Sequence, residues 1–111
     1  MDMVKEIKQY EVYWISLDPT QGSEMAKTRP CVVVSPNEMN QFLKTLIIIP
    51  ITSTVKTYPW RVKCMISGKQ GSVATDQIKV IDRSRIGSKI GNLSKTEVLE
   101  LKDVLQKMLI N

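Results

Sequence analysis

The chain has 111 residues, with 16 Lys and Arg against 11 Asp and Glu, no histidine, and a net charge of +5. That length and an apolar content of 42% fit one domain, residues 1–111, with a modest core rather than a disordered chain. Without histidine there can be no Ser-His-Asp or Cys-His nucleophile, no paired-histidine ribonuclease site and no imidazole-bound zinc.

Residues 11–17 are rich in β-branched and aromatic side chains and read as a strand, closed by turn chemistry at residues 18–22. A polar loop follows over residues 22–29, and residues 31–34 form an apolar run that suits a buried strand. Ser35, Pro36, Asn37 and Glu38 resemble a capping box with proline at the first helical position, predicting a short helix to about Phe42. Residues 45–51 are the most apolar segment and suit a central strand, disturbed or edge-like at Pro50, which has no amide to donate. Thr52, Ser53 and Thr54 follow it.

Over residues 60–67, Trp60, Val62, Cys64 and Ile66 alternate with Arg61, Lys63 and Met65. That period of two predicts a half-buried strand with Arg61 and Lys63 facing outward. A turn is expected over residues 67–71, then short strands over 73–77 and 78–81, with Gly87 and Gly91-Asn92 as punctuation. Ser94 to Glu97 form a second capping box ahead of a helix whose stripe is Val98, Leu101, Leu105, Met108 and Leu109. Short strands with a closing helix predict a small, strongly curved β-barrel.

Cys31 and Cys64 each sit in an apolar run and are expected to be buried free thiols, with a single disulfide as the alternative. No run approaches the ~18 apolar residues of a membrane span. The first residues lack the apolar core of a signal peptide, so a soluble cytoplasmic protein is expected. The charge is concentrated: residues 56–89 carry a net +6, residues 1–55 a net −1, and the remainder none. A basic face and a polyanionic partner follow. Only Tyr58 and Trp60 fall among these basic residues, too few for a broad base-stacking platform.

Trp14 to Glu24 (WISLDPTQGSE), Lys27 to Pro30 (KTRP), Val32 to Pro36 (VVVSP), Pro50 to Ser53 (PITS), Asp76-Gln77 and Ile81-Asp82 together resemble the MazF/PemK (Kid) toxin family, over about residues 10–110. The resemblance implies an SH3-like barrel of the CcdB/MazF kind, with a short helix after the second strand and a C-terminal helix. It implies a homodimeric, sequence-specific endoribonuclease that needs no metal or other cofactor. The substrate it implies is single-stranded RNA, chiefly mRNA, cut to 2′,3′-cyclic phosphate and 5′-OH ends. The implied partner is a cognate antitoxin whose acidic, disordered tail blocks the RNA groove. The competing readings are a non-enzymatic toxin on the same barrel, like a CcdB-type gyrase poison, and an RNA-binding barrel without catalysis.

The chemistry is compatible with these side chains. RNA brings its own nucleophile, the 2′-OH, so the protein must align it, move two protons and stabilise a crowded phosphorane. A guanidinium presents a planar fork of donors that matches phosphate oxygens. Arg29 is the first catalytic candidate and Thr52, a hydroxyl donor, the second; Ser53 can assist. The proton acceptor is open between an unusually desolvated Arg29, Glu24, Asp76 and water. The PemK/Kid branch uses a His, an Arg and an Asp; Ser23 and Ala74 occupy the first two positions here and only Asp76 remains, which favours an Arg29/Thr52 scheme. Glu24, Asp76 and Gln77 are candidate RNA contacts, since acidic and amide groups can read unstacked base edges. Lys27, Lys56, Arg61, Lys79 and Arg85 are candidate phosphate contacts, setting affinity and its salt dependence. Leu99 and Ile110, off the main helical stripe, are candidate dimer contacts.

Overall fold

The computed structural model describes residues 6–17, 28–54 and 57–110. Its strands are β1 (Glu11–Ser16), β2 (Thr28–Val33), β3 (Thr45–Thr52), β4 (Arg61–Ile66), β5 (Lys69–Ala74), β6 (Lys79–Asp82) and β7 (Ile86–Asn92). Helix α1 (Asn37–Phe42) lies between β2 and β3, and α2 (Lys95–Leu109) closes the chain. Short 3-10 turns, Thr75–Gln77 and Arg83–Arg85, flank β6. All pairings are antiparallel, in the order β4-β5-β3-β2-β1-β7, with β6 added on β3. The curled, mainly β architecture with its two helices is the one expected.

Strand β3 organises the sheet. One edge pairs with β2; the other pairs with β6 through Thr45–Ile48 and with β5 at Ile51 and Thr52. Pro50 was expected to disturb the strand. Instead β3 runs straight through it, and Pro50 falls in the gap where the strand changes partner. A missing amide costs least there.

The apolar runs reflect burial on both faces. On one face, Val12, Val32, Ile49, Ile51, Val62, Cys64, Ile66 and Val73 form the barrel interior, closed by Leu93 and Leu101. On the other, Ile7, Tyr13, Ile15, Cys31, Val33, Leu46, Ile48 and Ile81 form a second core. Alternate residues of the same strands feed the two.

Several boundaries differ from expectation, each for a local reason. Pro36 is the N-cap of α1 rather than its first helical residue, with an extended ψ of 153° and no side-chain cap. The Ser35 hydroxyl is used elsewhere: it donates to Asn40 Oδ1 and accepts from the Ile47 amide, tying α1 to β3. Trp60 was expected inside β4. It precedes the strand, 40% exposed, and stacks on Tyr58 with ring centroids 4.8 Å apart. The turn after β4 is tighter than expected, only Ser67 and Gly68, both at positive φ; such a two-residue turn suits a twisted hairpin. Residues 75–77 form a 3-10 turn rather than strand, and Gly87, Gly91 and Asn92 lie inside β7, whose register with β1 is bulged.

The Ser94–Glu97 capping box is formed as expected: the Glu97 amide donates to Ser94 Oγ at 3.1 Å and the Ser94 amide to Glu97 Oε1 at 2.8 Å. Glu97 also accepts from the Met65 amide, docking the helix on β4. Leu101 is buried, and Val98, Val104 and Leu105 pack on the inner core. The distal half of the predicted stripe is not core: Met108 and Leu109 are exposed, as are Leu99 and Ile110. No helix among the described residues is long and apolar enough to cross a membrane.

Candidate nucleic-acid interface

Arg29 lies in β2, exposed, opposite Ile15 of β1. Between β2 and β3 the pairs are Val33 with Ile48, Val32 with Ile49 and Cys31 with Pro50. Carrying that register on by two residues sets Arg29 level with Thr52, where both strands leave the core. Opposed residues on antiparallel strands project to the same face. This is the face of the second core: Arg29 follows Cys31 and Val33, and Thr52 follows Ile48 and Pro50.

Cys31 gives an electrostatic reading of this neighbourhood. Burial pushes its thiol up to about 12, while the Lys79 and Arg29 charges oppose that shift. Both cations therefore act on one buried atom. Lys79 is placed there by its pairing with Ile48 across the β3–β6 ladder.

Thr52 is half-buried, and its hydroxyl donates to the Thr54 carbonyl at 2.9 Å; Ser53 beyond it is exposed. On the β5 side Thr52 opposes Ser72, and Ser72 opposes Lys63 of β4. Lys63, Ser72 and Thr52 thus form one cross-strand row that Arg29 extends. Gly71 permits the close approach of β5 to β3, since a Cβ there would lie 2.9 Å from Ile51 Cγ2 and 3.0 Å from the Thr52 carbonyl oxygen. A cavity of about 220 Å³ opens on the other face of the sheet, that of the inner core, lined by Trp14, Pro30, Ile51, Ile66 and Gly71 among others, and it also touches Thr52 and Ser53.

Other predicted residues have different partners. Arg61 and Asp76 are joined by a bidentate ion pair, Nε to Oδ1 at 2.9 Å and a second guanidinium nitrogen to Oδ2 at 3.0 Å. Arg61 also lies over the Tyr58 ring, 5.7 Å from its centroid. Its guanidinium therefore faces a carboxylate, not open solvent as the alternation of β4 suggested. The Arg61 hydrogen bond holds the Asp76 carboxyl below its usual range, despite slight burial. Gln77 is exposed at the end of the same 3-10 turn. Arg85 donates to the backbone carbonyls of Leu17, at 3.0 Å, and Ser16, at 3.4 Å. It braces the end of β1. Glu24, Lys27 and Lys56 lie outside the described residues.

Arg29, Thr52, Ser53 and Lys79 are thus brought to one region, while Arg61 and Asp76 form a unit of their own. Sequence reasoning passed over Lys63 and Ser72. Lys63 was recognisable as outward-facing, but its alignment with Thr52 depends on how the β4–β5 hairpin registers on β3. Chemically, the row offers a guanidinium, a hydroxyl and an ammonium along one line, donors suited to a phosphodiester backbone.

Known proteins match this chain over most of its length. The family described as PemK-like, MazF-like toxin of type II toxin-antitoxin system matches residues 8–109. The endoribonuclease toxin MazF of Escherichia coli K12 is 34% identical over 93 residues, covering 83% of this chain and 84% of that protein. Endoribonuclease MazF of Staphylococcus epidermidis is 29% identical over 105 residues, covering 89% and 88%. Among solved structures, MazF of Deinococcus radiodurans superposes with a TM-score of 0.81 at 25% identity, covering 97% of this chain and 100% of that one. A MazE–MazF structure from the same organism gives 0.82 at 25% identity, covering 96% and 97%. This chain belongs to the family of PemK-like, MazF-like toxins of type II toxin–antitoxin systems.

Proposed function

We propose that this protein is the endoribonuclease toxin of its pair, cutting single-stranded RNA, chiefly mRNA, in the cytoplasm. What supports the reading is the register of β2 on β3, in which Val33, Val32 and Cys31 pair with Ile48, Ile49 and Pro50; continued by two residues, it sets Arg29 level with Thr52. The relatives named as endoribonucleases support the activity. The MazE–MazF structure supports an antitoxin partner, and the net charge of +6 over residues 56–89 suits an acidic tail as well as RNA.

In this reaction the RNA 2′-OH attacks the adjacent phosphorus in line and the 5′ oxygen leaves, giving 2′,3′-cyclic phosphate and 5′-OH ends. No metal is needed for the nucleophile, which the substrate supplies. Arg29 binds the non-bridging oxygens and stabilises the phosphorane as its charge grows, and Thr52 donates to the same phosphate. Donors aimed at developing charge are usually the largest catalytic contribution. Asp76 is a poor choice of proton acceptor, because both its oxygens accept from Arg61 and its pKa is depressed. Glu24 or a water takes the 2′ proton, and a solvent water protonates the 5′ oxygen as it leaves.

The test is incubation of the purified protein with mixed-sequence RNA in EDTA, with end-group analysis of the fragments. The expected result is a limited set of cuts bearing 5′-OH and cyclic phosphate ends. Arg29→Ala should retain its circular dichroism and lose at least about 100-fold in cleavage rate. RNA left intact by excess wild-type protein would overturn the reading, and full activity in Arg29→Ala would overturn the role of that residue.

A further inference from the structure

Ser72 is fully buried, and its hydroxyl has no hydrogen-bond partner among the described residues. It is the only buried side-chain polar atom among them in that condition. A hydroxyl left unpaired in the interior is a net cost to folding, and alanine would fill the same space without it. The position is not remote. Ser72 is the cross-strand partner of Thr52, with Lys63 on its other side.

The Thr52 hydroxyl has one proton, and in the free protein that proton goes to the Thr54 carbonyl at 2.9 Å. To donate to a phosphate, Thr52 must turn about χ1 and give that bond up. Cβ atoms of directly opposed residues lie about 4.5–5.5 Å apart, close enough for Thr and Ser hydroxyls to meet after such a turn. We propose that Ser72 is a positioning residue for Thr52. When Thr52 swings onto the scissile phosphate, Ser72 donates to the Thr52 oxygen, forming a relay from Ser72 through Thr52 to the phosphate.

This relay satisfies the buried hydroxyl only in the engaged state. The cost carried by the free protein is relieved as substrate binds, offsetting the loss of the Thr54 bond. A donor behind Thr52 also polarises its O–H, strengthening the bond it makes to the growing negative charge. Stability and activity are therefore expected to move in opposite directions at this residue, which a purely structural serine would not do.

The inference rests on the role proposed for Thr52, so the experiment separates the two. Single-turnover cleavage rates and urea midpoints are measured for wild type, Ser72→Ala, Thr52→Val and the double variant. Thr52→Val should lose most of the activity. Ser72→Ala should unfold at a higher urea midpoint yet cleave about tenfold more slowly at saturating protein, with the concentration for half-maximal rate unchanged. In the Thr52→Val background, Ser72→Ala should slow cleavage no further. Ser72→Thr, which keeps the hydroxyl, should cleave within about twofold of wild type. Ser72→Cys, similar in size but a weak donor, should be slow like Ser72→Ala and serves if the latter does not fold. Wild-type rates in both Ser72→Ala and Ser72→Cys, or a slowing that persists without the Thr52 hydroxyl, would overturn the relay. Full activity in Thr52→Val would overturn the Thr52 assignment itself.

Discussion

Cys31 shows how little a side chain's position beside a functional residue says about its reactivity. Its sulfur lies two residues from Arg29 and its thiol is acted on by two cations, yet burial wins and the pKa stands at about 12. Cys64 reaches about 12 for the same reason, with the Glu97 charge adding to the shift. The thiolate, which is the reactive species, is therefore scarce at neutral pH. Both thiols should therefore resist a maleimide or disulfide reagent in the folded protein and react together on unfolding in urea. Stoichiometric labelling of the native protein within minutes would contradict this. The expectation of buried free cysteines agrees with the structure, in which neither is in a disulfide. At Arg61 the residue type was legible but its partner was not. A guanidinium that grips Asp76 with both arms is a less available phosphate contact than one in solvent.

At the scale of elements, the β4–β5 hairpin does the most to build the candidate site. Its two-residue turn at Ser67-Gly68 sets the pairing of Lys63 with Ser72, and the Ile51–Val73 and Thr52–Ser72 pairs fix the hairpin on β3. A one-residue slip would turn Lys63 and Ser72 to the opposite face and bury the charge. In this register Lys63 is exposed, without an ion-pair partner among the described residues, in line with Thr52 and Arg29. Binding of a non-cleavable 2′-O-methyl RNA by Lys63→Ala should weaken, and the slope of log K against log salt should fall by about 0.7 if one phosphate contact is lost. Arg61→Ala should change that slope less, because the cation it removes is already paired with Asp76. An unchanged slope in Lys63→Ala would place Lys63 outside the RNA interface.

On the molecular surface, the outer side of α2 exposes large apolar side chains. Along α2, Leu99 is 58% exposed, Leu109 59% and Ile110 74%, while Val98, Leu101, Val104 and Leu105 pack on the barrel. Side chains of this size are poorly placed in water, and together they suit a self-complementary contact between two copies. Sedimentation at micromolar concentration should give twice the 12.6 kDa of the chain. Leu109→Glu with Ile110→Glu should shift the protein toward monomer with unchanged circular dichroism. A wild-type monomer would remove the need for this contact, and a variant that remains dimeric would place the interface elsewhere.

Much of this protein was determined locally. Alternation in β4, the apolar runs of β2 and β3, and the Ser94–Glu97 capping box depend on neighbours within a few residues, and these elements form near where the sequence puts them; β2, expected over residues 31–34, instead spans Thr28–Val33 and takes in Thr28 and Arg29 from the segment expected as loop, because both pair with β1. The motif containing Arg29 and Thr52 could be recognised without a fold. What only the tertiary structure decided is who faces whom. Pro50 marks a change of strand partner rather than a break, Ser35 ties α1 to β3 instead of capping a helix, and Asp76 is Arg61's counterion. The row from Lys63 through Ser72 to Thr52 joins residues far apart in the chain. Spacing along one strand states which face a side chain takes; only the register between strands states what lies opposite. Register depends on the packing of both cores at once, and no local pattern encodes it.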